Sequence, residues 1–132
     1  MTDERPGTVL WQRIATGDIL IAPGAADALS ARLIEQSGFS ALYATGAGIA
    51  NSLLGLPDIG LATMTELVDQ IRRMAATTTI PIIADADTGF GNVVNTHRAV
   101  QEYERAGVAG IQLEDQRFPN VRTAEDLARQ CG

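Results

Sequence analysis

The chain contains no lysine: all ten of its basic residues are arginines. Schiff-base catalysis, which needs a lysine amine, is therefore excluded, as is a phosphate loop of the GxxxxGK[ST] type, a pattern that does not occur. Cysteine is nearly as scarce. Cys131 is the single thiol, which leaves neither an intramolecular disulfide nor a multi-cysteine metal site. His97, the single histidine, flanks a helical stripe and reads as a surface residue rather than a ligand. No apolar run reaches the roughly 18 to 20 residues needed to cross a bilayer, and residues 1–6 are polar with no basic stretch ahead of an apolar core. The expectation is a cytoplasmic protein without a membrane partner. A formal charge of −6, with the arginines scattered, argues against nucleic acid as a partner. Gly46-Ala-Gly48 and Gly89-Phe-Gly91 lack the GxGxxG layout, so no dinucleotide site is expected.

What is present is the composition of a soluble globular domain, with 45% hydrophobic and 20% charged residues. Residues 41–45, 81–85 and 110–114 read as short apolar strands, preceded by a fourth at residues 18–22. Between them lie helical patterns. Met64, Leu67, Val68, Ile71, Met74 and Ala75 form one apolar stripe, and Thr63 with Glu66 fits a capping box at its start. A second stripe of Thr96, Ala99, Val100, Tyr103 and Ala106 follows, with Arg98, Gln101, Glu102 and Arg105 opposite and Gly107 suited to a C-cap. Trp11 is expected to pack an N-terminal helix, residues 9–15, under the sheet. Alternating strands and helices predict an α/β fold with a parallel sheet, either open and doubly wound or part of a closed (β/α)8 barrel. A whole barrel takes about 250 residues, so four βα units in this length would be half of one.

The chemistry concentrates at strand ends. Asp85 and Asp87, at i and i+2, fall on one face of the strand that carries them. Glu114 and Asp115 end the next strand on opposite faces, so one of them can join the same site. Asp58, in the loop Gly55-Leu-Pro-Asp-Ile-Gly60, adds a carboxylate at that edge. Parallel α/β sheets place their active sites at the C-terminal ends of the strands. Unpaired carboxylates there would repel one another, and a hard divalent cation is the simplest partner.

Pro23-Gly-Ala-Ala-Asp-Ala-Leu-Ser-Ala-Arg32, Tyr43-Ala-Thr-Gly-Ala47, Gly55-Leu-Pro-Asp-Ile-Gly-Leu61, Ala84-Asp-Ala-Asp-Thr-Gly-Phe-Gly-Asn92 and Ile111-Gln-Leu-Glu-Asp-Gln116 occur in this order. Together they resemble the successive signatures of the isocitrate lyase / phosphoenolpyruvate mutase superfamily, over residues 6–116 of a single partial barrel domain spanning residues 1–132. The resemblance implies a (β/α)8 barrel, of which this chain would supply about the first four βα units and an N-terminal helix. It implies Mg²⁺, or Mn²⁺ in its place, ligated by Asp85 and held largely through water by Asp87 and Glu114, with Asp58 orienting that water shell. Thr45, Gly46 and Ala47 would present backbone N–H groups to a substrate carboxylate, with Tyr43 near the substrate carbonyl. The implied activity is that of a carbon–carbon lyase acting through an enolate on a 2-methylisocitrate-like or 2-oxo-dicarboxylate substrate, in a homo-oligomer. Phosphonomutase, phosphonopyruvate hydrolase and oxaloacetate decarboxylase chemistry share the same cradle.

The family's lyases follow the Glu-Asp-Gln strand with a mobile Lys-Lys/Arg-Cys-Gly-His loop whose cysteine acts as acid and base. Here Gln116 is followed by Arg-Phe-Pro-Asn120, and the segment 117–132 diverges. The late Arg129-Gln-Cys-Gly132 makes Cys131 the candidate for that catalytic cysteine. A half barrel would expose its edge strands and part of its apolar lining. The corresponding expectation is a poorly stable, catalytically weak chain, or a truncated and inactive family member.

Overall fold

Pro6 opens the first helix, where its missing N–H breaks no intrahelical bond. A computed structural model of the chain describes residues 4–116. The order of elements is α1 (Pro6–Ala15), β1 (Gly24–Ala25), α2 (Ala28–Gln36), β2 (Leu42–Ala44), α3 (Gly46–Leu54), α4 (Met64–Ala75), β3 (Ile82–Asp85), α5 (Val93–Ala106) and β4 (Gly110–Gln112). The strands lie in the order β1-β2-β3-β4, with every neighbouring pair parallel. Tyr43 aligns with Ile83, and Ile83 with Gly110, which fixes the strands so that all four C-terminal ends meet at one edge. The α/β fold and its parallel sheet match the start of a (β/α)8 barrel.

Both helical stripes bury most of the residues their periodicity selects. Leu67, Val68, Ile71 and Met74 of α4 are buried, as are Ala99, Tyr103 and Ala106 of α5. These faces pack against the sheet residues Leu42, Ala44, Ile82 and Ala84 in one core. Val100 lies at the edge of its stripe and is exposed. Gly107 ends α5 at φ 95°, a left-handed conformation that glycine adopts at little cost. The capping box at α4 is present: Thr63 Oγ1 accepts from the Glu66 N–H at 3.3 Å, and Glu66 accepts from the Thr63 N–H at 2.8 Å. Thr63→Ala should therefore cost about 1 kcal/mol of unfolding free energy, read from a urea titration. No loss of stability would show that the cap contributes nothing here.

Two expectations are corrected. The first strand is Gly24–Ala25 rather than residues 18–22, because Gly24 and Ala25 are the residues that pair with Tyr43 and Ala44. Ile19, within the expected strand, is 93% exposed. Trp11 is 70% exposed and does not pack beneath the sheet; Leu10, one position earlier, does so. Its Cδ2 lies 3.1 Å from where a Cβ on Gly110 would stand, so a small residue at the start of β4 lets α1 close on the sheet. Helix α3 has no counterpart in the periodicity reading, since its glycines at positions 46 and 48 mask the helical pattern.

Candidate metal and substrate site

Two turns carry the site, and each follows from its sequence. After β2, Thr45 caps α3: its Oγ1 accepts from the Gly48 N–H at 3.2 Å. Its own N–H donates to the Ala25 carbonyl at 3.1 Å and is committed to the sheet. Of the three backbone donors expected for a substrate carboxylate, the geometry thus leaves Gly46 and Ala47, which lie in the first turn of α3 where no intrahelical acceptor exists.

After β3 the chain turns sharply. Asp87 has φ 46° and Phe90 φ 60°, the only non-glycine residues with positive φ among those described. Aspartate tolerates this region better than most residues, and such strain gathers at functional sites. The turn is held by hydrogen bonds that link the acidic residues. The Asp87 N–H donates to Asp85 Oδ1 at 3.0 Å, and the Glu114 N–H donates to the Asp87 carbonyl at 2.8 Å. The other Asp85 oxygen faces α3. A Cβ placed on Gly46 would stand 2.9 Å from Asp85 Oδ2.

The structure therefore brings Asp85, Asp87, Glu114 and Gly46 to the same sheet edge. Tyr43 points toward them: burial, and then the charge of Asp85, push its phenol above the ordinary value, so it stays protonated at any physiological pH. Asp58 lies in the exposed loop after α3, and partial desolvation followed by the Asp85 charge raises its carboxyl. Burial, and then Asp85, Asp58 and Glu114, push the Asp87 carboxyl up to about 6. Asp87 and Glu114 also line a cavity of about 850 Å³ with Asp115, Phe90, Gly91, Asn95 and Arg98. Both acids after β4 face it, rather than one of the two, because the strand ends at Gln112 and its alternation no longer governs positions 114 and 115. Arg98, on the wet side of the α5 stripe, is a wall of this cavity that periodicity does not single out. Cys131 lies outside the described residues.

A metal tests this donor set. Among the described residues, no three His, Cys, Asp or Glu side chains close into a ready-made metal cluster. The groups that do converge are carboxylates only, and burial, reinforced by their mutual repulsion, raises Asp87 and Asp58. Hard oxygen donors with excess negative charge, too far apart for a closed cage, fit Mg²⁺, which takes one or two carboxylates and completes its octahedron with water.

A carboxyl with a raised pKa binds its proton more tightly in the folded chain than in the unfolded one. The metal-free fold should therefore be most stabilised below the ordinary carboxyl value and lose that increment as pH rises through about 6. Asp27, Glu35 and Glu66 are lowered by hydrogen bonds from Ser30, Thr79 and Thr63, so their contributions are lost only at more acidic pH. In urea titrations with chelator, the chain should be more stable at about pH 5.5 than at about pH 7.5, by about 0.5 kcal/mol after solvent screening. Saturating Mg²⁺ should remove the difference. Equal stability at both pH values without metal would contradict the like-charge cluster.

An acidic edge at the C-terminal ends of parallel strands, faced by a helix N-terminus, defines the class: the strand-end edge of a partial (β/α) barrel. Residues 12–132 match the phosphoenolpyruvate phosphomutase family, and the chain belongs to the phosphoenolpyruvate mutase / isocitrate lyase superfamily. It is 54% identical over 106 residues to 2,3-dimethylmalate lyase of Eubacterium barkeri, covering 80% of this chain and 37% of that protein. It is 48% identical to 2-methylisocitrate lyase of Aeropyrum pernix, covering 88% of this chain and 37% of that protein. Phosphonopyruvate hydrolase, solved in complex with oxalate and Mg²⁺, superposes with a TM-score of 0.85 at 35% identity, over 94% of this chain and 43% of that one. The chain thus spans less than half the length of these relatives.

Proposed function

We propose that this chain carries the Mg²⁺ and carboxylate-binding portion of a carbon–carbon lyase acting on a 2-methylisocitrate-like or 2-oxo-dicarboxylate substrate. The observation that carries the reading is the hydrogen-bonded run from Asp85 through Asp87 to Glu114, set against the open N-terminus of α3. Asp85 would ligate the ion, with Asp87 and Glu114 holding its waters and Asp58 orienting the shell from the loop; Mn²⁺ has the same preference for oxygen donors. Bound there, the ion would supply Lewis-acid stabilisation of negative charge developing on the substrate's oxygens. Gly46 and Ala47 N–H groups would take a substrate carboxylate at the positive end of α3. The protonated Tyr43 phenol would donate a hydrogen bond toward the substrate carbonyl. Arg98, on the cavity wall, offers a cation to a second carboxylate.

Cys131 is proposed as the acid–base group of this chain, in place of the cysteine in the Lys-Lys/Arg-Cys-Gly-His loop. Among the described residues no helix is long and apolar enough to cross a membrane. A cytoplasmic, homo-oligomeric protein without nucleic-acid partners is the setting we propose. The same cradle would serve P–C bond chemistry, a reading favoured by the superposition on phosphonopyruvate hydrolase.

The test is a substrate panel of 2-methylisocitrate, 2,3-dimethylmalate, oxaloacetate and phosphonopyruvate, assayed with Mg²⁺ and with chelator. Slow, chelator-sensitive cleavage of one of the first three is the expected result, and Cys131→Ser should reduce it. Cleavage of phosphonopyruvate alone would favour the second reading. Turnover that chelator leaves untouched would overturn both.

A further inference from the structure

Tyr103 is the largest fully buried side chain among the described residues, yet its hydroxyl is spent on one bond: it donates to the Asp85 main-chain carbonyl at 2.9 Å. That carbonyl belongs to the peptide between Asp85 and Ala86, where β3 gives way to the strained turn. The N–H of the same peptide donates to the Gln112 carbonyl at 3.0 Å, so the sheet holds one side of it and Tyr103 the other, and together they restrict ψ of Asp85 and with it where the carboxylate stands relative to the Asp87 N–H and Gly46. The ring is held in turn. Phe90, itself at φ 60°, stacks on it with centroids 6.2 Å apart and an interplanar angle of 28°. Helix α5, anchored through Ala99 and Ala106 in the core, carries the tyrosine to this point.

We infer that Tyr103 is a positioning residue for the metal site: its buried hydroxyl, through the Asp85 carbonyl, aims the Asp85 carboxylate. The inference rests on the Mg²⁺ reading of that site. The bond begins a connected path, Tyr103 to Asp85, Asp85 to Asp87, Asp87 to Glu114, in which each link is a hydrogen bond to or from a residue bearing one of the carboxylates. A tyrosine used only to fill the core could be replaced by phenylalanine with a change in stability alone. A tyrosine that aims a ligand cannot.

The test is Tyr103→Phe in the full chain, with Mg²⁺ affinity read by calorimetry and thermal stability read in chelator. Outer partners of metal ligands change affinity by about 10- to 100-fold, and this one acts through the main chain, so about a five- to tenfold loss of Mg²⁺ affinity is expected. Val68→Ala, which thins the same core away from the acidic edge, serves as the matched control: it should lower the melting temperature and leave Mg²⁺ affinity unchanged. Wild-type affinity in Tyr103→Phe, or an equal loss in Val68→Ala, would overturn the inference while leaving the metal reading intact. Absence of Mg²⁺ binding in the wild type would overturn both.

Discussion

Asp85→Ala should abolish measurable Mg²⁺ binding, a loss of more than about a hundredfold, beyond the range typical of residues that only support a ligand. The substitution removes the proposed direct ligand and the acceptor of the Asp87 N–H together. It should also move a proton equilibrium elsewhere. Asp85 is the largest charge acting on Asp87, so its removal should lower the Asp87 midpoint from about 6, while burial keeps it above the ordinary value. The two readouts, calorimetry of Mg²⁺ and an NMR titration of the aspartate carboxyls, separate a lost ligand from a collapsed fold. A variant that binds Mg²⁺ as the wild type does would remove Asp85 from the site.

Gly46→Ala should have the second largest effect, and its signature differs. Alanine is a better helix former than glycine, and Gly46 does not adopt a positive φ, so the backbone accepts the change. The new methyl, however, would stand 2.9 Å from Asp85 Oδ2 and 3.1 Å from its Cγ. The carboxylate is the part that can yield, and it must turn away from α3 while Oδ1 is still engaged by the Asp87 N–H. Folding stability should change by less than about 1 kcal/mol, whereas Mg²⁺ affinity should fall by at least about tenfold. A stable variant with undiminished Mg²⁺ affinity would show that the Asp85 carboxylate points elsewhere.

These variants show how unevenly the sequence displays its structure. The strands and stripes with a strong period were legible: α4, with its capping box, and α5, with its terminal Gly107, stand where the pattern places them. The edge at which the acids gather was legible as well, but not the reason: β3 ends at Asp85, and Asp87 reaches the same edge through a turn at φ 46° rather than by sharing a strand face, as Glu114 does from beyond the end of β4. Helix α3 was not, because glycines 46 and 48 carry no apolar signal; they are there for close approach, to Asp85 at one position and to Thr45 and Ala26 at the other. Trp11 misled for a related reason. Aromatic identity suggested burial, but one residue of helical phase decides which side chain faces the sheet, and Leu10 holds that position.

Tyr103 belongs to the apolar stripe of α5 and is buried with it, but a stripe does not say where a hydroxyl goes. A fully buried phenol needs a partner, and that rule alone could have marked it. Its partner, the Asp85 carbonyl, is eighteen positions away in the chain and invisible to any local pattern. The same holds for Arg98, whose place on the cavity wall comes from how α5 lies across the turn after β3.

The claim that joins these observations is that the acidic edge binds a 2-oxo acid only through a metal ion. Oxalate, which offers two adjacent carboxylates to a metal and cannot be cleaved by a lyase, isolates binding from turnover. Calorimetric titration of oxalate into the wild-type chain should give measurable binding with saturating Mg²⁺ and none in chelator, since the uncompensated carboxylates repel the anion. Oxalate binding of equal strength with and without Mg²⁺, or none in either case, would contradict it.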